Sequence, residues 1–199
     1  MFDANSFKKR MKTTAYAKFD AHKRYDRLNN TSLFALTSAS SLLIFITLFN
    51  KYVFVKCTGI NQSFIELFSI VVSIMILVLS LVVSFASYSL KSERYLKTGN
   101  DILELCDKLD LASTDFEKKN ISQSYNFLRK NADNHKGFNY TRGRLERKKE
   151  EGKSDIKLED KESYIEKYEY WAPIVSFYAI SILSILIFLI MISICVIYA

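Results

Sequence analysis

The chain has 199 residues, 25% of them Asp, Glu, Lys or Arg, and a formal net charge of +7. Leu28 to Asn50, Leu67 to Leu90 and Tyr170 to Ala199 nevertheless carry no charge at all, a segregation that excludes an ordinary water-soluble domain. Cys57, Cys106 and Cys195 show no C-x-x-C or ligand spacing and His22 and His135 stand alone, which excludes a patterned disulfide framework or metal cluster; the two histidines read as solvated surface residues.

Residues 1–27 hold Lys8, Lys9, Arg10, Lys12, Lys18, Lys23, Arg24 and Arg27 against Asp3, Asp20 and Asp26. Phe7, Met11, Ala15 and Phe19 recur at a spacing of four and predict one apolar helical face. This basic amphipathic lead-in either lies at an anionic inner leaflet with its cations among the headgroups, or packs on the protein's own cytosolic region. Nucleic acid is a weaker partner than lipid for a basic stretch beside a membrane helix. With nearly thirty residues before the first apolar run and no A-x-A-like site after it, that run is expected to be retained and not cleaved as a signal peptide.

At about 1.5 Å per residue the three uncharged runs reach roughly 34, 36 and 45 Å, against a hydrocarbon core of about 30 Å. Each is long enough to span. Thr37, Ser38, Ser40, Ser41 and Thr47 dilute the first. Residues 51–66, with Gly59 and Asn61 suited to a turn, make helices 28–50 and 67–90 a tight transmembrane hairpin, together the 28–90 domain.

Residues 91–169 form a charged, nearly balanced helical region. A helix is expected to continue straight out of the second membrane helix, with Ile102, Leu105, Cys106 and Leu109 on its apolar face, and to end near Leu111. Thr114 and Glu117 have the capping-box spacing and open a helix that buries Ile121, Tyr125 and Leu128 and stops near Asn131. Asn131 to Gly143 is rich in turn residues and reads as a loop. A charged helix over 145–171, interrupted at Gly152 and Ser154, leads to Tyr168, Tyr170 and Trp171, placed as interfacial anchors. Pro173 suits the first turn of a third membrane helix over 170–199. The fold class is therefore an all-α membrane protein: amphipathic lead-in, transmembrane hairpin, cytosolic helical region, and a third, C-terminal transmembrane helix. The excess of Lys and Arg before the first span and between the second and third puts the N-terminus and residues 91–169 in the cytoplasm and the C-terminus outside.

No Asp, Glu, Lys, Arg or His lies in the three runs, which excludes proton-coupled transport and voltage sensing. No nucleophile–base pair, P-loop or H-E-x-x-H points to an enzyme, and no catalytic residue, metal site or cofactor is expected. One intramembrane pattern stands out. Ser69, Ser73, Ser80, Ser84 and Ser87 fall within about 60° of one another on the second membrane helix. Such a stripe is either a packing seam, because small residues let helices approach, or the lining of a pore, because hydroxyls face water at little cost.

Arg10 to Leu28 (RMKTTAYAKFDAHKRYDRL), Tyr88 to Tyr95 (YSLKSERY), Ile102 to Leu105, Asn134-His135 and Asn139-Tyr140 together resemble the fifth subfamily of the SLATT family, two-transmembrane effectors associated with SMODS and SLOG domains. The likeness covers roughly residues 7–145. The third apolar segment departs from a two-helix pattern. The resemblance implies a homo-oligomeric effector that breaches the bacterial inner membrane in antiphage defence when triggered by a partner signalling enzyme, reverse transcriptase or retron-like element. The alternative is a non-pore anchor or adaptor that recruits a cytosolic partner through residues 91–169.

Overall fold

A computed structural model describes residues 3–49, 62–134, 136–152 and 164–198. The described residues form six helices: α1 (Ala4–Phe49), α2 (Gln62–Ala86), α3 (Tyr88–Leu111), α4 (Asp115–Asn131), α5 (Gly137–Glu150) and α6 (Tyr164–Tyr198). The expected turn at Gly59 and Asn61, together with Cys57, His135 and Ser154, lies outside the described residues. The chain divides into a charged unit (residues 1–27 and 88–171) and an apolar unit (28–87 and 172–199).

No Gly or Pro occurs between residues 4 and 49, and the expected lead-in and first membrane helix are one uninterrupted helix. Three helices are long and apolar enough to cross a membrane. The exposure of α2 requires a solvent other than water. Leu67 (61%), Met75 (67%), Leu77 (61%) and Phe85 (83%) stand open. Leaving such side chains in water forgoes about 1.5–3 kcal/mol each.

In the charged unit, Phe7, Met11 and Ala15 of α1 close a core with Ile102, Cys106 and Leu109 of α3 and Tyr125 of α4. Burial pushes the Cys106 thiol up to about 11. α4 begins with the expected capping box: the Glu117 amide donates to Thr114 Oγ1 (3.2 Å), and the Glu117 carboxylate accepts from the Ser113 and Thr114 amides (2.9 and 3.1 Å). Those two amides hold the Glu117 carboxyl below its ordinary value. Thr114→Ala should cost about 1 kcal/mol in the first turn of α4, read as faster amide exchange at residues 115–118. Because the Glu117 pKa is depressed on folding, its contribution is full above the ordinary carboxylate value. It is lost as pH falls through the lower folded value. Acid should therefore loosen this turn in the wild type more than in Glu117→Gln.

Three local expectations are corrected. The expected continuous helix is interrupted between α2 and α3, because Ser87 takes a left-handed conformation (φ 49°) that ends α2. The loop expected over 131–143 is short, since α5 already starts at Gly137. Phe138, Asn139 and Gly143 are buried, and packing overrides their weak helix propensity. Pro173 lies inside α6, nine residues beyond Tyr164, and not in its first turn. Its ring leaves the Glu169 carbonyl without the usual helical donor.

Candidate functional site

In the apolar unit, α1 and α6 each bury one face. Ser32, Ala35, Ala39, Leu42 and Ile46 are buried on one face of α1, and Phe177, Ser181 and Ser184 on one face of α6. The rings of Phe45 and Phe188 meet at 4.3 Å. The serines and threonines that dilute the first span lie off the buried face of α1: Ser38 and Ser40 are half-buried and Thr37, Ser41 and Thr47 exposed, whereas the small residues buried on it are Ser32, Ala35 and Ala39, which let a neighbouring helix approach closely in lipid. Thr37 and Thr47 donate back to the carbonyls of Leu33 and Leu43 (both 2.9 Å), which satisfies their hydroxyls within the helix.

α2 is covered far less. In the most apolar window of each helix, 33% of residues are buried for α1, 22% for α6 and 6% for α2. The half-buried positions of α2 are Ser69, Val72, Ile76, Leu79, Val83 and Ala86, at helical spacings of three and four. Ser73, Ser80, Ser84 and Ser87 are exposed, on the flank of that face. Only Ser69 belongs to both sets. Ser73 donates to the Ser69 carbonyl (2.7 Å), and Ser87 to that of Ser84 (3.4 Å). Their oxygens keep lone pairs for another partner.

The segments that carried the family likeness form the polar framework of the charged unit. Ser92 Oγ lies 2.7 Å from His22 Nδ1 and donates to the His22 carbonyl at 3.1 Å. His22 is therefore half-buried and bonded to α3, not solvated. Tyr25 stacks on Tyr95 at 5.4 Å, and the Tyr95 hydroxyl donates to the Asn134 carbonyl at 2.9 Å. Burial pushes that hydroxyl up to about 12. Asn139 donates to Asp20 Oδ2 at 2.8 Å and accepts from the Lys136 amide at 3.2 Å. These contacts tie α1, α3, α5 and the connection before α5 together.

The eight basic residues of the lead-in divide. Lys8 pairs with Asp110, and Lys12 with Glu150 at 3.4 Å. Lys18 is buried and donates to the Asp133 carbonyl, with its pKa lowered by that burial. Arg24, 5% exposed, lies over the rings of Phe138 (5.1 Å), Tyr25 (5.4 Å) and Tyr170 (5.9 Å). Lys9, Arg10, Lys23 and Arg27 are exposed. Since Phe7, Met11 and Ala15 are consumed in the core, the lead-in packs on the protein's own helices, one of the two roles its sequence allows.

The three expected interfacial anchors also divide. Tyr168 and Trp171 are 74% and 41% exposed, whereas Tyr170 is 1% exposed. Tyr170 meets Phe138 edge-on at 5.7 Å and lies 3.6 Å beneath the Arg142 guanidinium. Arg27 stands over Trp171 at 5.7 Å. Sequence reasoning missed this aromatic and arginine cluster because its members come from α1, α5 and the start of α6.

The protein is an all-α membrane protein in which α1 and α6 contribute residues both to the charged unit and to the apolar unit. It belongs to the SMODS and SLOG-associating 2TM effector domain family 5, whose family model (SLATT_5) matches residues 3–199. The match extends past the 7–145 expected and includes the third apolar helix, which is an integral part of the family domain here. No curated protein and no solved structure matches the chain. The family name describes its members as two-transmembrane effector domains that associate with SMODS and SLOG.

Proposed function

We propose that the chain is the membrane-permeabilising effector of a bacterial antiphage system that acts by abortive infection. It would sit in the inner membrane with its N-terminus and residues 91–169 in the cytoplasm and its C-terminus outside. A partner signalling enzyme or reverse transcriptase would trigger it. It would act as a homo-oligomer, without catalysis or cofactor. One observation carries this reading: among the described residues α2 is the least covered of the three apolar helices, and it bears the stripe serines Ser69, Ser73, Ser80 and Ser84. An uncovered helix with an exposed polar edge suits contact with further copies and, on opening, a hydrated path. Lys9 and Lys23 are exposed and can meet anionic headgroups, and Tyr168, 74% exposed, can meet the interface. A near-complete shift from closed to open needs a trigger that favours the open state by roughly 5 kcal/mol.

Cells carrying the gene with its neighbouring genes, challenged with phage, should lose membrane potential. Ser80→Leu should abolish that loss at equal protein level, because a leucine blocks both a close seam and a wet path. Cells that stay polarised under challenge while the chain is present and assembled would instead support an anchor or adaptor.

A further inference from the structure

Several cations of the charged unit face a carboxylate. Lys8 pairs with Asp110, Lys12 with Glu150, Arg142 with Asp20 at 3.8 Å, and Arg147 with Glu151 at 2.6 Å. Among the cations that pair with no carboxylate, three are gathered at one place. Arg10 of α1 and Arg129 and Lys130 of α4 line a single cavity of about 500 Å³, with Lys18, Tyr125 and Tyr140 also in its wall. No Asp or Glu lines it. Lys18 is already engaged by the Asp133 carbonyl, and the Asp133 carboxylate acts on its charge. Arg10, Arg129 and Lys130 are exposed and, among the described residues, take part in no ion pair.

Two features make this more than a basic surface. Arg10 is held in place: its guanidinium lies 5.1 Å from the Phe7 ring centre and 5.9 Å from that of Tyr125, itself fixed by a 2.9 Å hydrogen bond to Thr14. Compensation of the α4 dipole accounts for Arg129 and Lys130 in the last turn of that helix, but not for Arg10, which arrives from another helix. The volume falls in the range of small-ligand pockets, about 300–1,000 Å³. Three open cations without counter-charge suit a ligand with several negative charges, and guanidinium recognises phosphate oxygens well.

We propose that this cavity binds a small, multiply phosphorylated ligand of nucleotide size. The shared chemistry is phosphate, which an acidic lipid headgroup also carries, so the test separates the two sources. Binding here does not depend on whether the assembly forms a pore, and the test reads binding alone. Full-length protein in neutral detergent would be titrated into a fluorescent ATP analogue, followed by anisotropy, with inorganic pyrophosphate or phosphatidylglycerol-doped micelles as competitors. Saturable binding displaced by pyrophosphate is expected. Arg129→Gln with Lys130→Gln, and Arg10→Gln alone, should each weaken it about tenfold or more. Lys97→Gln with Lys119→Gln removes two exposed charges that do not line the cavity and should leave it within about twofold. Thermal unfolding checks that each variant is folded. No saturable binding, equal weakening by the cavity and control pairs, or displacement by the anionic micelles but not by pyrophosphate would each overturn the proposal.

Discussion

Gly143→Ala should destabilise the charged unit by about 2–3 kcal/mol, although Ala is the better helix former by about 1 kcal/mol. A Cβ at Gly143 would lie 2.4 Å from the Ala17 nitrogen, 2.8 Å from its Cα and 2.9 Å from the Thr13 carbonyl oxygen. All three are backbone atoms of α1, so no rotamer change relieves the clash and α5 has to back away from α1. That movement would loosen Phe138 and Asn139, at 1% and 2% exposure, and with them the Asn139–Asp20 hydrogen bond. Gly137→Ala is the matched control on the same helix, since its added Cβ meets nothing nearer than Glu166 Oε1 at 3.9 Å. Unfolding of the full chain in detergent, followed by Trp171 fluorescence, should separate the two substitutions in sign. Equal behaviour would mean that α5 does not pack backbone to backbone on α1.

The second large effect is expected at Tyr125, which is fully buried. Its ring meets Phe7 edge-on at 5.5 Å and its hydroxyl pairs with Thr14 at 2.9 Å. Tyr125→Ala would leave a ring-sized void among Phe7, Met11 and Ile102 and should cost about 3–5 kcal/mol. Tyr125→Phe keeps the ring. The Thr14 hydroxyl still donates to the Arg10 carbonyl at 3.0 Å, so that loss should stay near 1 kcal/mol. Limited proteolysis of the full chain should find α4 released in the alanine variant and protected in the phenylalanine one. Similar protection in both would place Tyr125 outside the load-carrying core.

Elements whose cause is local were readable in the sequence. The uncharged runs marked the spanning helices because charge in hydrocarbon is costly. Thr114 and Glu117 marked the start of α4 because a capping box needs only four consecutive residues. The core positions Ile102, Cys106, Leu109 and Tyr125 followed from helical spacing. What was not readable depends on partners distant in the chain. Gly143 reads as a turn residue until Ala17 is known to lie against it. Tyr170 reads as an interfacial aromatic until Phe138 and Arg142 enclose it. Arg10, Arg129 and Lys130 come together only because α1 and α4 share a core. The serine stripe was visible by its spacing, but its exposure was not. The buried face of α1, Ser32, Ala35, Ala39, Leu42 and Ile46, has spacings of three and four, but it mixes serine, alanine and large apolar residues within an already apolar run, so no single residue type marked it.

Conductance across a planar lipid bilayer containing the purified full-length protein tests the proposed pore most directly. With wild-type protein assembled and inserted, as checked by cross-linking, discrete current steps are expected on activation by the phage-induced lysate fraction of cells carrying the neighbouring genes. Ser80→Leu, inserted to the same extent, should give none. A bilayer that stays silent with inserted wild-type oligomer under that activation, or steps of equal size and frequency in Ser80→Leu, would contradict a path lined or gated by the serine edge of α2.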